Sequence, residues 1–306
     1  MNVPEPPPLP NIIGHRGVAG HAPENTLASI RETATMGLAW VEFDVMMTKD
    51  GELVLIHDET LDRTTDGRGR VPKMPLAALK QLDAGAWFDT RFKGERIPTL
   101  AETADLLVEL GLSANIEVKP ARGYARETGQ AVGAFLRDEW PPGLIAPIIS
   151  SFWTEALGAV GEVAPGFPRG FLVGRIPSNW TEELERLGCA LLHCSQRHLR
   201  RSQAEAVLAS GYRLLSYTVN DVAKARALWD WGVETVFPII RTGCATYSRQ
   251  ATHGPRHRPR DQISFAATRC RRVPAPFLPP LSNRLRGHRA HRRNSTQDPP
   301  VCGPYR

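Results

Sequence analysis

His15 and His57 each close a short apolar run, and Glu42, Asp44 and Glu117 lie inside others. Trp40 to Met47 alternates as a strand. Side chains two apart on a strand share a face, so Glu42 and Asp44 point the same way while Val41, Phe43 and Val45 take the other side. Two neighbouring acids repel unless positive charge lies between them, and a hard divalent cation with oxygen ligands is the economical answer. Ala114 to Lys119 reads as a second such strand, with Glu117 and Lys119 on one face. Any one of these acids alone reads as a solvated strand charge. Three strand-borne acids, two strand-end histidines, Arg16 and Lys119 together read as a site.

The runs His15-Arg16-Gly17, Pro23-Glu24-Asn25-Thr26, Glu42-Phe43-Asp44-Val45, His57-Asp58, Leu61-Asp62-Arg63-Thr64-Thr65, Arg96-Ile97-Pro98-Thr99-Leu100 and Glu117-Val118-Lys119 carry a resemblance. In order and spacing the chain resembles the bacterial glycerophosphodiester phosphodiesterases, from about Asn11 to about Phe237. The resemblance implies metal-dependent hydrolysis of small-molecule glycerophosphodiesters, such as glycerophosphocholine or glycerophosphoethanolamine, to an alcohol and sn-glycerol 3-phosphate. It implies one Mg²⁺ or Ca²⁺ ion on Glu42, Asp44 and Glu117, orienting the phosphate. Arg16 and Lys119 then bind phosphate oxygens, and His15 and His57 share the proton transfers, with acid and base unassigned. The nucleophile is water or a glycerol hydroxyl. Glu24 is either a substrate contact or a helix cap. Phe152 and Tyr217 follow the fourth and seventh strands and can face the pocket, Tyr217 standing where such enzymes often have tryptophan. His21 reads as incidental, and His193 and Cys194 as strand interior and rim. The alternatives are a lysophospholipase-D-like or lyase activity on the same barrel, or an inactive barrel remnant with a basic tail that binds nucleic acid.

These groups need a scaffold that gathers strand ends. Short apolar strands near residues 11, 40, 114, 145, 170, 190, 214 and 234 alternate with amphipathic helices, the pattern of parallel βαβ units. Eight units close a TIM (β/α)8 barrel, with its site at the C-terminal strand ends. A doubly wound sheet is the runner-up, but it would not collect groups from strands 1, 2 and 3 around one mouth. Lys49-Asp50-Gly51 is a turn, after which Glu52 to Ile56 returns as a strand carrying His57. Residues 58–98 break the rhythm and are expected to form a small inserted subdomain. Residues 1–10 are a proline-rich lead-in, expected to be extended and disordered, and the barrel domain runs over 11–240.

Residues 241–306 are a different kind of sequence. They hold fourteen arginines, no lysine and two acids, a net +12 that leaves −6 for the rest of a chain whose total is +6. Such a tail can bind phosphate-rich polymers, yet it has no aromatic interleaving, zinc spacing or recognisable module; it is expected to be disordered. Against the resemblance, the expected Thr-Asp ending of strand eight is replaced by Pro238-Ile239-Ile240-Arg241. Restoring one lost base just after codon 237 gives Thr-Asp-His-Pro, so a frameshift is the expected origin. Loss of the closing helix is expected to lower stability. The five cysteines show no CxxC spacing, as in a reducing compartment. No apolar run nears the roughly 20 residues that cross a bilayer, and Met1 to Pro10 has no basic n-region or apolar h-region, so it is not expected to be a signal peptide. Cytoplasm is the expected location.

Overall fold

Strand and helix alternate in the computed structural model, which describes residues 3–239. The basic tail and the chain beyond the altered strand-eight ending lie outside the described residues. In chain order the elements are α1 (Leu27–Thr35), β1 (Trp40–Met47), β2 (Leu53–Leu55), α2 (Leu76–Leu79), α3 (Leu100–Leu110), β3 (Ser113–Val118), α4 (Ala125–Asp138), β4 (Ile148–Ser151), α5 (Thr154–Val163), β5 (Arg169–Val173), α6 (Trp180–Leu187), β6 (Leu191–Ser195), α7 (Arg201–Ala209), β7 (Arg213–Tyr217), α8 (Val222–Asp230) and β8 (Thr235–Phe237). From β1 through β3 to β8 each strand pairs in parallel with the next, while β2 pairs antiparallel with the end of β1.

Residues 12–14 close the ring. Ile12 bridges Val236 on one side and Gly14 bridges Val41 on the other, with Ile13 N–H donating to Val236 O at 3.1 Å and Glu42 N–H to Gly14 O at 2.8 Å. The expected first strand is thus a stave held by single bridges, because the chain leaves it at once through Arg16 and Gly17 at φ +54° and +79°. Followed around the ring, the registers leave β1 at Met47 and return at Ala39. That stagger of about eight residues is the shear of a (β/α)8 barrel.

Local chemistry sets the element ends. Thr99 and Glu102 form a capping box on α3, and Gly111 at φ +65° ends it. β4 begins at Ile148 rather than near 145, since Pro147 has no N–H to offer a ladder. Buried Arg169 of β5 donates to the carbonyls of Leu187 and Gly188, closing the end of α6. The lead-in is fastened rather than free: Arg213 Nη1 donates to Pro6 O and Pro7 O at 2.9 and 3.0 Å, and Thr235 Oγ1 to Pro10 O at 2.7 Å.

Apolar side chains from sheet and helices form two clusters, one including Val41, Phe43, Val45, Ile116 and Leu107, the other including Leu192, Leu214, Leu228 and Val236. Inside the barrel, Ile13, Trp40, Ile148, Leu191, Leu215 and Phe237 form a separate plug. Residues 58–98 hold α2 and two short 3-10 turns. Their Leu61, Val71, Leu79, Ala84 and Ile97 pack on Met46, Val54 and Ile56, at the C-terminal end of β1. No helix among the described residues is long and apolar enough to cross a membrane.

Candidate active site

The β1–β3 register sets Asp44 opposite Glu117, and strand alternation turns Glu42 to the same side. One carboxylate oxygen from each of Glu42, Asp44 and Glu117 lies within 4.8 Å of the other two, and all three residues are buried. Glu42 Oε1 and Asp44 Oδ1 make no hydrogen bond. Burial, then the charges of Asp44 and Glu117, push the Glu42 carboxyl well above its ordinary range. Burial and then Asp44 raise Glu117 in the same direction. Burial opposes the charge on Asp44 too, but Arg16 and then Lys119 outweigh it and hold this carboxyl low. An all-oxygen set, buried and short of partners, fits a hard divalent cation.

The turn after the first stave serves this cluster. Arg16 N–H donates to Glu42 Oε2 at 2.8 Å, its Nη1 to Glu24 Oε1 at 2.8 Å, and its Nε lies 3.3 Å from Asp44 Oδ2. Gly17 permits the turn, since a Cβ there would sit 2.3 Å from Ser29 Oγ. His15 Nε2 is 3.8 Å from Glu42 Oε2. Burial, then Arg16, lowers the His15 imidazole to about 3, so the ring is neutral.

His57 approaches from the segment after β2. Its Nδ1 lies 2.6 Å from Asp58 Oδ1. An ionised carboxylate only accepts, so Nδ1 carries the proton and Nε2 of the neutral ring is an acceptor. Burial lowers the His57 pKa, partly offset by Asp44. Arg63 Nε donates to Asp58 Oδ2 at 2.6 Å while its two terminal nitrogens grip Glu24 at 2.8 Å each. Arg63 thereby pulls the Asp58 carboxyl down to about 2. Glu24 is not the cap of α1, which is Thr26; it ties Arg16 to Arg63.

Lys119 Nζ donates to Glu117 Oε1 at 2.9 Å, lies 3.4 Å from Asp44 Oδ1 and stands 5.8 Å from the Phe152 ring centroid. Phe152 meets Tyr217 edge to face at 5.7 Å, and the Tyr217 hydroxyl donates to Val173 O at 2.8 Å. Nine of the ten residues expected at the site are linked contact to contact, and His57 joins them through residues outside the ten. His193 and Cys194 are buried on β6.

Three further residues join them. Asn25, at φ +56°, donates from Nδ2 to Asp44 Oδ2 at 2.8 Å and accepts Asp44 N–H on Oδ1 at 3.1 Å. Asp58 and Arg63 complete the path from His57 to Glu24. Asn25 carried a signal in the sequence, a residue tolerant of positive φ between Glu24 and the capping Thr26. Asp58 and Arg63 stand in two of the runs that carry the resemblance, without a role read for either.

The sequence pattern of the Glycerophosphoryl diester phosphodiesterase family matches residues 15–238. The chain belongs to this family. Among curated glycerophosphodiester phosphodiesterases, the putative enzyme YhdW of Bacillus subtilis is 33% identical over 243 residues, covering 76% of this chain and 97% of its own. The enzyme of Caldanaerobacter subterraneus is 34% identical over 245 residues, covering 76% and 98%. Among solved structures, an Oleispira antarctica phosphodiesterase in complex with the product sn-glycerol-3-phosphate is 43% identical, with a TM-score of 0.73, covering 76% of this chain and 93% of that one. The chain is accordingly a glycerophosphodiester phosphodiesterase by class. The matched span begins at His15, whose N–H lies 3.4 Å from the carbonyl of Pro238 at its other end. All thirteen site residues named above fall within it.

Proposed function

We propose that this phosphodiesterase hydrolyses glycerophosphodiesters such as glycerophosphocholine or glycerophosphoethanolamine to the alcohol and sn-glycerol 3-phosphate, with one Mg²⁺ or Ca²⁺ ion held by Glu42, Asp44 and Glu117. The observation that carries the reading is the meeting of three buried acids within 4.8 Å beside two imidazoles, a guanidinium and an ammonium. The ion, when bound, supplies Lewis-acid stabilisation of charge on the nonbridging phosphate oxygens. Arg16 and Lys119 donate to those same oxygens. His57, its Nδ1 proton fixed by Asp58, presents Nε2 as the base that takes the proton from the attacking water or glycerol hydroxyl. That same proton, held on His57, is the one the departing alcohol oxygen takes up, and neutral His15, 3.8 Å from Glu42, is the second imidazole beside the ester phosphorus. Phe152 and Tyr217 wall the pocket, and Glu24 acts through Arg16 rather than on substrate.

Glycerol 3-phosphate release from glycerophosphocholine, followed with Mg²⁺, with Ca²⁺ and with EDTA, tests this. Release with either metal and loss in EDTA is expected; release undiminished in EDTA would overturn the metal role. One observation favours a second substrate, a lysophospholipid: Phe152 and Trp153, at the end of β4, are 42% and 40% exposed. Choline release from lysophosphatidylcholine reads that activity directly.

A further inference from the structure

A cavity of about 350 Å³ opens where the chain leaves β5 and β6, lined by Arg175, Ile176, Arg197, His198, Arg200 and Gln203. No acidic side chain among the described residues lines it. The side chains of Arg175, Arg197 and His198 make no hydrogen bond or ion pair with any described residue. Arg200 reaches only the Gln203 amide oxygen, at 3.4 Å. Arg31, Arg63, Arg126, Arg137, Arg186, Arg201 and Arg213 each hold a carboxylate, whereas Arg68 and Arg226, like the cavity arginines, hold none among the described residues, but these stand apart rather than around one concavity. Three exposed guanidiniums around one concavity present a concentration of positive charge with no carboxylate in it, and the guanidinium fork matches phosphate oxygens.

The cavity faces the same end of the barrel as the acids. One residue of stagger per strand puts Asp44, Phe152, Val173 and Ser195 at one level. Arg175 and Arg197 each stand two residues past that level, just above the mouth. Strand spacing and tilt make an eight-stranded mouth about 15 Å wide, and β5 and β6 stand across it from β1, so a molecule bound on the acids lies within reach of an extended arginine from the far rim. The wall between them is the aromatic pair Phe152 and Tyr217, the latter anchored on Val173.

We propose that this cavity is a second phosphate subsite, and that it receives a phosphate carried on the alcohol half of the substrate, a phosphorylated sugar or polyol. The subsite rests on the phosphodiesterase reading above and names the diesters that enzyme favours. A diester with one ring between its two phosphates spans the gap; a choline or ethanolamine diester leaves the arginines empty.

Glycerophosphoinositol and its 4-phosphate differ by the one group in question. The wild-type enzyme is expected to show a KM at least tenfold lower for the phosphorylated diester. Arg175→Ala combined with Arg197→Ala removes that advantage and leaves the KM for glycerophosphoinositol unchanged. Equal KM values in the wild type, or an equal rise for both diesters in the variant, overturns the proposal. Inorganic phosphate provides an arm independent of turnover. It is expected to shift the His198 ring signals in NMR, identified by their loss in His198→Gln. Unmoved signals overturn the anion site itself. Shifted signals without kinetic selectivity overturn the substrate-borne phosphate and leave a free-anion site. If the wild type releases glycerol 3-phosphate from neither diester, the activity reading fails, and the phosphate titration alone decides the subsite.

Discussion

At the scale of single residues, the site divides into groups that touch substrate and groups that hold them. Asp58 belongs to the second kind: it fixes the proton on His57 Nδ1 at 2.6 Å and is itself fixed by Arg63. Asp58→Asn keeps the shape but removes the charge and allows the wrong tautomer. General acid–base catalysis contributes roughly 10²–10⁴-fold; we expect Asp58→Asn to lose about 10- to 100-fold of it in kcat, with KM little changed and the acidic limb of the pH–rate profile displaced. An unchanged profile would show that Asp58 does not act through His57. Asn25→Ala removes both hydrogen bonds from Asp44, and such supporting contacts are worth about 10- to 100-fold in metal affinity. A titration of activity against Mg²⁺ reads the shift directly. The acids themselves were legible in the sequence, because strand alternation alone puts Glu42 and Asp44 on one side. Asn25, Asp58 and Arg63 stand in the runs that carry the resemblance, but their contacts were not legible, because they arrive through a turn at positive φ and through a loop whose path no periodicity dictates.

At the scale of elements, periodic segments could be read and junctions could not. α3 and α5 form in the amphipathic intervals before the strands expected near 114 and 170. The first stave does not read as bridges from sequence, since a four-residue apolar run looks the same in a ladder and in a single bridge. The lead-in departs from expectation for a related reason: prolines imply an extended chain but say nothing of Arg213, whose guanidinium holds two of their carbonyls. The interior of the barrel also depends on a strand position that composition hides. Gly170 on β5 pairs with Leu191, and a Cβ there would meet the neighbouring His193 Nε2 at 2.5 Å. Gly170→Ala is expected to destabilise the fold by about 1–3 kcal/mol through overpacking, and His193→Ala in the same chain should restore part of the loss. Urea unfolding of the single and double variants measures this; additive losses would mean the two positions do not compete for space.

For the molecule as a whole, the barrel interior sets a sensitivity to acid. Burial lowers the His193 imidazole from 6.5 to about 3. The folded chain therefore binds fewer protons here than the unfolded chain between those values, and stability falls as pH drops through that window. Each affected unit costs up to about 1.4 kcal/mol per buried imidazole, and His15, lowered in the same direction, adds to the slope. Denaturation midpoints measured from pH 7.5 down to 5 should fall for the wild type and fall less steeply for His193→Gln; parallel curves would remove His193 from the account. The closure of the ring has a consequence for synthesis. The stave that carries His15 lies between β1, among the first segments made, and β8, among the last described. A nascent chain that has already exposed Glu42, Asp44, His57 and Glu117 still lacks one edge of that stave until Val236 emerges. Turnover on the ribosome should therefore switch on late and abruptly, with a chain stalled before codon 236 silent although nearly every reactive group has been translated.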